Sequence, residues 1–206
     1  MSPTPTSSPP SANASTAVDR GRDYAEAFCA YLDAAGCDWR ATDFGRPAAV
    51  GPERLKSLDF VVRDHAGGNL LVELKGRRDP SAGGRRFENW ATAGDLTGLL
   101  DWERLLGPPA RAVLVFAYRL DGVAGGHDAA AYDRTGRFAF YGVGPLDYLL
   151  VARRRSPRWQ TWSASASDFA SVRRPFADWL DGRGSALDTG EGSDIERDGR
   201  RVCVAS

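Results

Sequence analysis

Lysine is almost missing from this chain. Of 27 basic side chains only Lys56 and Lys75 are lysines, the other 25 being arginine. Cysteine is sparse too: Cys29, Cys37 and Cys203 form no CxxC pair, which excludes a zinc ribbon and argues against a disulfide framework. No stretch approaches the roughly 18 to 20 apolar residues that a membrane span requires. Met1 to Ala17 has neither a basic nor an apolar region, so it is not expected to act as a secretory signal. The expected compartment is cytoplasmic. Nor is there an excess of one charge. The 27 acidic groups balance the 27 basic ones, which excludes a histone-like binder held to nucleic acid by bulk charge. A P-loop, a hydrolase elbow and a dinucleotide fingerprint are also missing, because Gly122-Val123-Ala124-Gly125-Gly126 lacks a strand-to-helix setting.

What is present is an ordinary globular composition over 206 residues, 42% apolar and 26% charged, enough for one domain. Residues 1–17 are rich in Ser, Thr, Pro and Ala and read as a disordered arm. Residues 18–180 form the domain, and 181–206 read as a mobile tail. Apolar spacing predicts a first helix over 18–35, with Tyr24, Phe28, Tyr31 and Leu32 on one face. A short strand is expected within 37–44, and then a loop up to Leu55. Ser57 to Arg63 and Asn69 to Arg77 both alternate with period 2 around the turn Asp64-His65-Ala66-Gly67-Gly68, the pattern of a hairpin.

Thr92 with Asp95 three residues on resembles a capping box for a second helix. Its buried side would hold Leu96, Leu99, Leu100, Trp102, Leu105 and Leu106, and Gly107-Pro108-Pro109 would stop it. Ala112 to Tyr118 is an apolar run suited to a central strand covered on both faces. A strand over 137–143, a helix over 144–153, a strand over 159–163 and a helix over 168–180 broken at Pro175 complete the reading. The fold class is α/β, a mixed β-sheet flanked by helices in a single domain.

The chemistry concentrates on the hairpin. Glu73 and Lys75 are two apart on one strand and share a face. A turn centred on Ala66 sets Asp59 directly opposite Glu73 on the non-core face. Two facing carboxylates destabilise a sheet unless a positive charge sits between them. Mg²⁺ suits that place, because it takes one or two carboxylates plus water and phosphate oxygens. Lys75 beside it would add a compact charge. E-x-K on a strand is also a common solvated pattern, so periodicity alone leaves both readings open.

The pattern D-x13-E-x-K on a hairpin, between a helix and a helix–strand unit, resembles the PD-(D/E)XK (restriction-endonuclease-like) nuclease superfamily. More narrowly, residues 18–180 are similar to the bacterial HYExAFE family. The similarity runs through Asp23-Tyr24-Ala25-Glu26-Ala27-Phe28-Cys29, Lys56-Ser57-Leu58-Asp59-Phe60, Glu73-Leu74-Lys75-Gly76-Arg77, Asn89-Trp90 and Val115-Phe116-Ala117-Tyr118. Three positions of the name motif differ, being Asp23, Ala25 and Cys29 here, and Leu58 stands where a proline usually precedes the aspartate. The resemblance implies a metal-dependent nuclease hydrolysing phosphodiester bonds, with DNA as its partner. Asp59, Glu73 and the carbonyl of Leu74 would hold Mg²⁺ or Mn²⁺, and Lys75 would assist an attacking water. It is also compatible with a homodimer. Many members bring a first-helix glutamate to the metal, but that position is Ala25, and the neighbouring Glu26 points away from the apolar face. The alternative implied is a catalytically inactive module that binds nucleic acid or a protein.

Arg77, Arg78, Arg85 and Arg86 bracket a glycine-bearing loop after Lys75, which reads as a clamp on a nucleic-acid backbone or as a solvated loop. Arg153, Arg154, Arg155, Arg158, Arg173 and Arg174 form a second basic set. Trp90 reads as a core side chain and Asp95 as a helix cap. His65 and His127 lie in glycine-rich turns with no evident catalytic partner.

Overall fold

The computed structural model describes residues 12–42, 48–50, 53–79, 88–120 and 127–184. The expected arm, apart from residues 12–17, the tail beyond 184, and Arg85 and Arg86 lie outside the described residues. In chain order the elements begin with α1 (Ala12–Ala35), β1 (Trp39–Ala41), β2 (Ala48–Val50), β3 (Glu53–Leu55), β4 (Phe60–Arg63) and β5 (Asn69–Arg78). They continue with β6 (Ala91–Thr92), α2 (Ala93–Leu106), β7 (Ala110–Arg119), β8 (Phe138–Val143) and α3 (Pro145–Val151). The last are β9 (Arg153–Ser156), β10 (Thr161–Ser163), α4 (Ala166–Val172), β11 (Arg174–Pro175) and α5 (Phe176–Leu180).

The main sheet has the order β1-β4-β5-β7-β8-β11. Only β5 and β7 run parallel; the other neighbours are antiparallel. A parallel neighbour requires a crossover, and α2 provides it. This is the mixed sheet flanked by helices that the sequence implied, in one domain.

Both faces of β7 are covered, which explains its unbroken apolar run. Val113, Val115 and Ala117 pack with Phe28 and Leu32 of α1 and Phe176 and Trp179 of α5. Ala112, Leu114, Phe116 and Tyr118 pack on the other side with Leu96 and Leu99 of α2, Tyr148 of α3 and Phe169 of α4. Among the described residues no helix is long and apolar enough to cross a membrane.

Several elements depart from the expected pattern. The first helix begins at Ala12 rather than Val18. A two-stranded pair, β2 and β3, occupies part of the segment read as loop. The third helix stops at Val151, and Arg153 opens a strand instead. Pro175 breaks the last helix into α4 and α5, with β11 between them at the sheet edge where a missing N–H is tolerated. On α2, Leu105 and Leu106 are 49% and 53% exposed, so the buried stripe ends earlier than its spacing suggested.

Candidate active site

The hairpin register is Phe60↔Val72, Val61↔Leu71 and Val62↔Leu70, which is the register of a turn centred on Ala66. Asp59 extends it by one step. Its amide donates to the Val72 carbonyl at 2.9 Å, and its own carbonyl accepts from the Thr42 amide at 3.0 Å. Beyond that point β4 has no further residues, while β5 continues to Arg78. The Asp59 carboxylate takes over from the missing strand: its Oδ2 accepts from the Leu74 amide at 2.7 Å. In a strand the N–H and C=O of one residue point to the same side. The Leu74 carbonyl therefore faces Asp59 and not the β7 ladder.

Side chains on β5 alternate across the sheet. Leu70, Val72 and Leu74 join the α1-side core, and Leu71 joins the α2-side core. Glu73 and Lys75 fall on the α2 side, where Asp95 meets them. The face expected to be outside the core is thus an interior wall. Glu73 is only 4% exposed, and so is Asp95. Leu58 also departs from the alternation, packing on the α2 side because β4 starts only at Phe60.

Lys75 Nζ lies 2.7 Å from Glu73 Oε1 and 2.9 Å from Asp95 Oδ2. Lys56 Nζ bridges the same two residues, through Glu73 Oε1 and Asp95 Oδ1. The chain's two lysines therefore converge on one cluster. Lys56 is fixed from α2, since Trp102 Nε1 donates to its carbonyl at 2.7 Å. Gly98 lets it approach: a Cβ there would stand 3.0 Å from the Lys56 Cβ. Asp95 is positioned by its cap. Thr92 Oγ1 accepts from the Asp95 amide at 3.1 Å, and the Thr92 amide donates to Asp95 Oδ2 at 2.8 Å. The capping box is real, but the same carboxylate also belongs to the charged cluster.

Burial raises Glu73 to about 6, with the Asp59 and Asp95 charges adding and Lys75 opposing. Burial likewise raises Asp59, against the Leu74 hydrogen bond and both lysine charges. Asp95 goes the other way. Its burial is outweighed by the Lys75 charge and by hydrogen bonds from Lys56, Lys75 and Thr92, which hold it well below the usual carboxylate range. Burial lowers Lys56, but hydrogen bonds to Asp95 and Glu73 overcome it and leave its affinity for a proton raised.

Other candidates are placed differently. Arg77 is 8% exposed, with its guanidinium donating to the carbonyls of Gly76 and Trp90 and lying 4.1 Å from the Trp90 ring. It is an interior group, held there by the alternation that sends odd-numbered residues of β5 toward α2, and so is not part of an exposed clamp. Arg78 is exposed. Arg173 stacks 4.0 Å from the Tyr141 ring, and Arg174 donates to the Ser171 carbonyl. Glu26 is exposed on α1, which packs against the opposite face of the sheet.

Both histidines have partners that the sequence did not disclose. His127 Nε2 is 3.4 Å from Asp79 Oδ2, both buried. His65 Nδ1 lies 2.9 Å from Asp181 Oδ1, and its Nε2 is 3.6 Å from Cys37 Sγ. Burial and the charges of Asp38, Asp181 and Asp64 raise the Cys37 thiol, the reverse of what an activated nucleophile needs.

No protein-family model matches the chain, and no curated protein matches it. Among solved structures the chain is similar to Hjc of Archaeoglobus fulgidus, a Holliday junction resolvase from an archaeal hyperthermophile. That similarity covers 78% of this chain and 99% of the other, at 16% identity and a TM-score of 0.48.

Proposed function

We propose that the chain is a metal-dependent nuclease that hydrolyses phosphodiester bonds in DNA, a PD-(D/E)XK enzyme with the HYExAFE family as its narrower affiliation. The observation that carries this reading is the convergence of Asp59, Glu73 and Lys75 at the end of β4, where β5 runs on with no strand on that edge.

The donor set fits Mg²⁺ or Mn²⁺. Asp59 Oδ1 and Glu73 Oε2 accept no protein hydrogen bond among the described residues, and the Leu74 carbonyl faces Asp59. These are the hard oxygen donors such ions take. Bound there, the ion would lower the pKa of a water and stabilise charge on the phosphoryl oxygens.

The chain's own residues do the rest. The Leu74 amide fixes the Asp59 carboxylate on the strand. Lys75, 17% exposed, holds its ammonium against Glu73 and Asp95, within reach of developing negative charge on a phosphate. Asp95 holds the Lys75 ammonium in place through its ion pair. Lys56, 41% exposed, faces solvent over the same carboxylates and can meet an incoming phosphate. Arg78, with Arg85 and Arg86, is assigned to the nucleic-acid backbone. A homodimer would let two such sites act on two strands.

The test is plasmid nicking with Mg²⁺ or Mn²⁺, paired with calorimetric metal titration. Nicking should disappear in Glu73→Ala and Lys75→Ala, and heat of metal binding should disappear in Asp59→Ala. Wild-type protein that neither binds metal nor nicks, yet still shifts DNA in gels, would establish an inactive binding module instead.

A further inference from the structure

The hairpin of β9 and β10 carries Arg153, Arg154, Arg155 and Arg158, all exposed. Between Asp147 and Asp168 the sequence has no acidic residue. Among the described residues none of the four arginines has an ion-pair partner. A chain with no net charge therefore concentrates four uncompensated cations on one short hairpin. An ordinary surface intersperses both signs, so this patch is a local electrostatic sink for an anion with several charges in a row.

An aromatic ring stands among them. Trp159 is 68% exposed, with the Arg158 guanidinium 5.2 Å from its ring centroid. A tryptophan left this open forgoes the burial that normally stabilises so large a ring. Successive bases of an unpaired strand stack on such rings, and every base has a face suited to it.

The tip is also anchored. Gln160 has φ 45°, the one non-glycine residue at positive φ among the described residues, a conformation that L-residues adopt only under constraint. The constraint is visible: the Gln160 carbonyl accepts from the amide of Ala93 at 2.8 Å, the first residue of α2. Asp95 follows two positions later. On the neighbouring strand, Thr161 and Trp162 pair with Thr92 and Ala91. Arg155 lies 5.9 Å from the ring of Trp90, over which Arg77 is stacked. The hairpin is thus joined by its backbone to the helix start that supplies Asp95 to the candidate active site.

We infer that this hairpin seats a single-stranded segment of nucleic acid, its arginines on successive phosphates and Trp159 stacked on an unpaired base. The substrate class is then DNA with an unpaired stretch, such as an overhang, flap or loop, in preference to uninterrupted duplex. This rests on the nuclease reading and narrows it.

The test uses the full chain in EDTA, so that no cleavage occurs, with fluorescence anisotropy of a labelled dT20 and of a blunt duplex over a range of NaCl. Wild type should prefer dT20. Replacing all four arginines by glutamine should lower the salt slope for dT20 by about 3, from roughly 0.7 per phosphate contact. Trp159→Ala should weaken dT20 binding about ten-fold and leave the duplex little changed, while Trp159→Phe should keep most of the affinity. Unchanged melting temperatures verify that these exposed substitutions leave the fold intact.

Equal affinity of wild type for both DNAs would overturn the inference, as would variants that bind dT20 like wild type. Arginine-dependent binding to vesicles containing phosphatidylserine, without binding to dT20, would overturn it in favour of a membrane surface. The two readings fail separately. Absent nicking with intact, hairpin-dependent dT20 binding refutes only the nuclease, whereas normal nicking with indifferent hairpin variants refutes only the hairpin's role.

Discussion

Glu73 and Asp95 grip the same two ammonium groups from opposite walls, one from the middle of β5 and the other from the first turn of α2. With Asp59 the cluster carries three carboxylates against two lysines. It carries one net negative charge when all are ionised, yet a divalent ion must enter against two resident cations.

That competition is measurable at Lys56, the more exposed of the two. Lys56→Gln removes one positive charge from beside Glu73 and Asp95. Coulomb attraction over such a distance is worth about 1 to 4 kcal/mol between water-like and protein-like dielectrics. Mn²⁺ affinity should rise about ten-fold, read by calorimetry or by the loss of free Mn²⁺ signal in electron paramagnetic resonance. Weaker binding in the variant would mean that Lys56 supports the site rather than competing for it.

Asp95→Asn keeps an oxygen for the Thr92 amide but removes the charge facing both lysines. Lys75 is largely buried, so it loses half of its ionic partners where water cannot replace them. Urea unfolding should show a loss of about 1 to 3 kcal/mol. Thr92→Ala, which removes only a cap, should lose about 1 kcal/mol. Equal losses would show that Asp95 acts through the cap alone.

Glu73 sets a pH dependence with a definite sign. Its folded value, about 6, exceeds the ordinary 4.5. Between those values the folded chain binds more protons than the unfolded chain, so stability falls as pH rises through that window, by roughly 2 kcal/mol, and is then flat. Asp95 has the opposite sign: held below its ordinary value of 3.8, it withdraws stability as pH drops under that value. In EDTA the melting temperature should therefore fall between about pH 4.5 and 6 in wild type, and the fall should shrink in Glu73→Gln to the part owed to Asp59, whose carboxyl burial also raises. Metal binding should strengthen over the same interval, because the proton no longer competes.

Gly76 separates the two faces of the sheet experimentally. A Cβ there would lie 2.3 Å from the Tyr24 ring, whose hydroxyl donates to the Arg77 carbonyl at 2.9 Å. Gly76→Ala must push α1 away from β5 and should destabilise the chain by about 1 to 3 kcal/mol in urea. The charged cluster lies on the other face, so metal affinity of the folded fraction should stay near wild type.

The sequence disclosed what is local or periodic. The hairpin register followed from one turn, the central strand from an apolar run, the α2 start from Thr92 and Asp95, and the break at Pro175 from its missing N–H. Tertiary proximity was hidden. Lys56 stood out for its rarity, yet only the packing of Gly98 and Trp102 brings it to Glu73. Asp95 was legible as a cap because capping is local, whereas its second role depends on where α2 crosses the sheet. Arg77 misled because a charged residue at a strand end reads as exposed, and only the wall formed by Trp90 and Phe116 turns it inward. Short strands such as β2, β3 and β9 carry too few residues for alternation to register.

The brevity of β4 gives the molecule a built-in reporter. Past Val72 the Leu74 amide is protected not by a neighbouring carbonyl but by the side chain of Asp59. Its exchange with deuterated solvent is therefore tied to the state of that single carboxylate, while the amides of β5 directed at β7 remain under ladder control. One backbone proton thus registers the condition of the site without any substrate present.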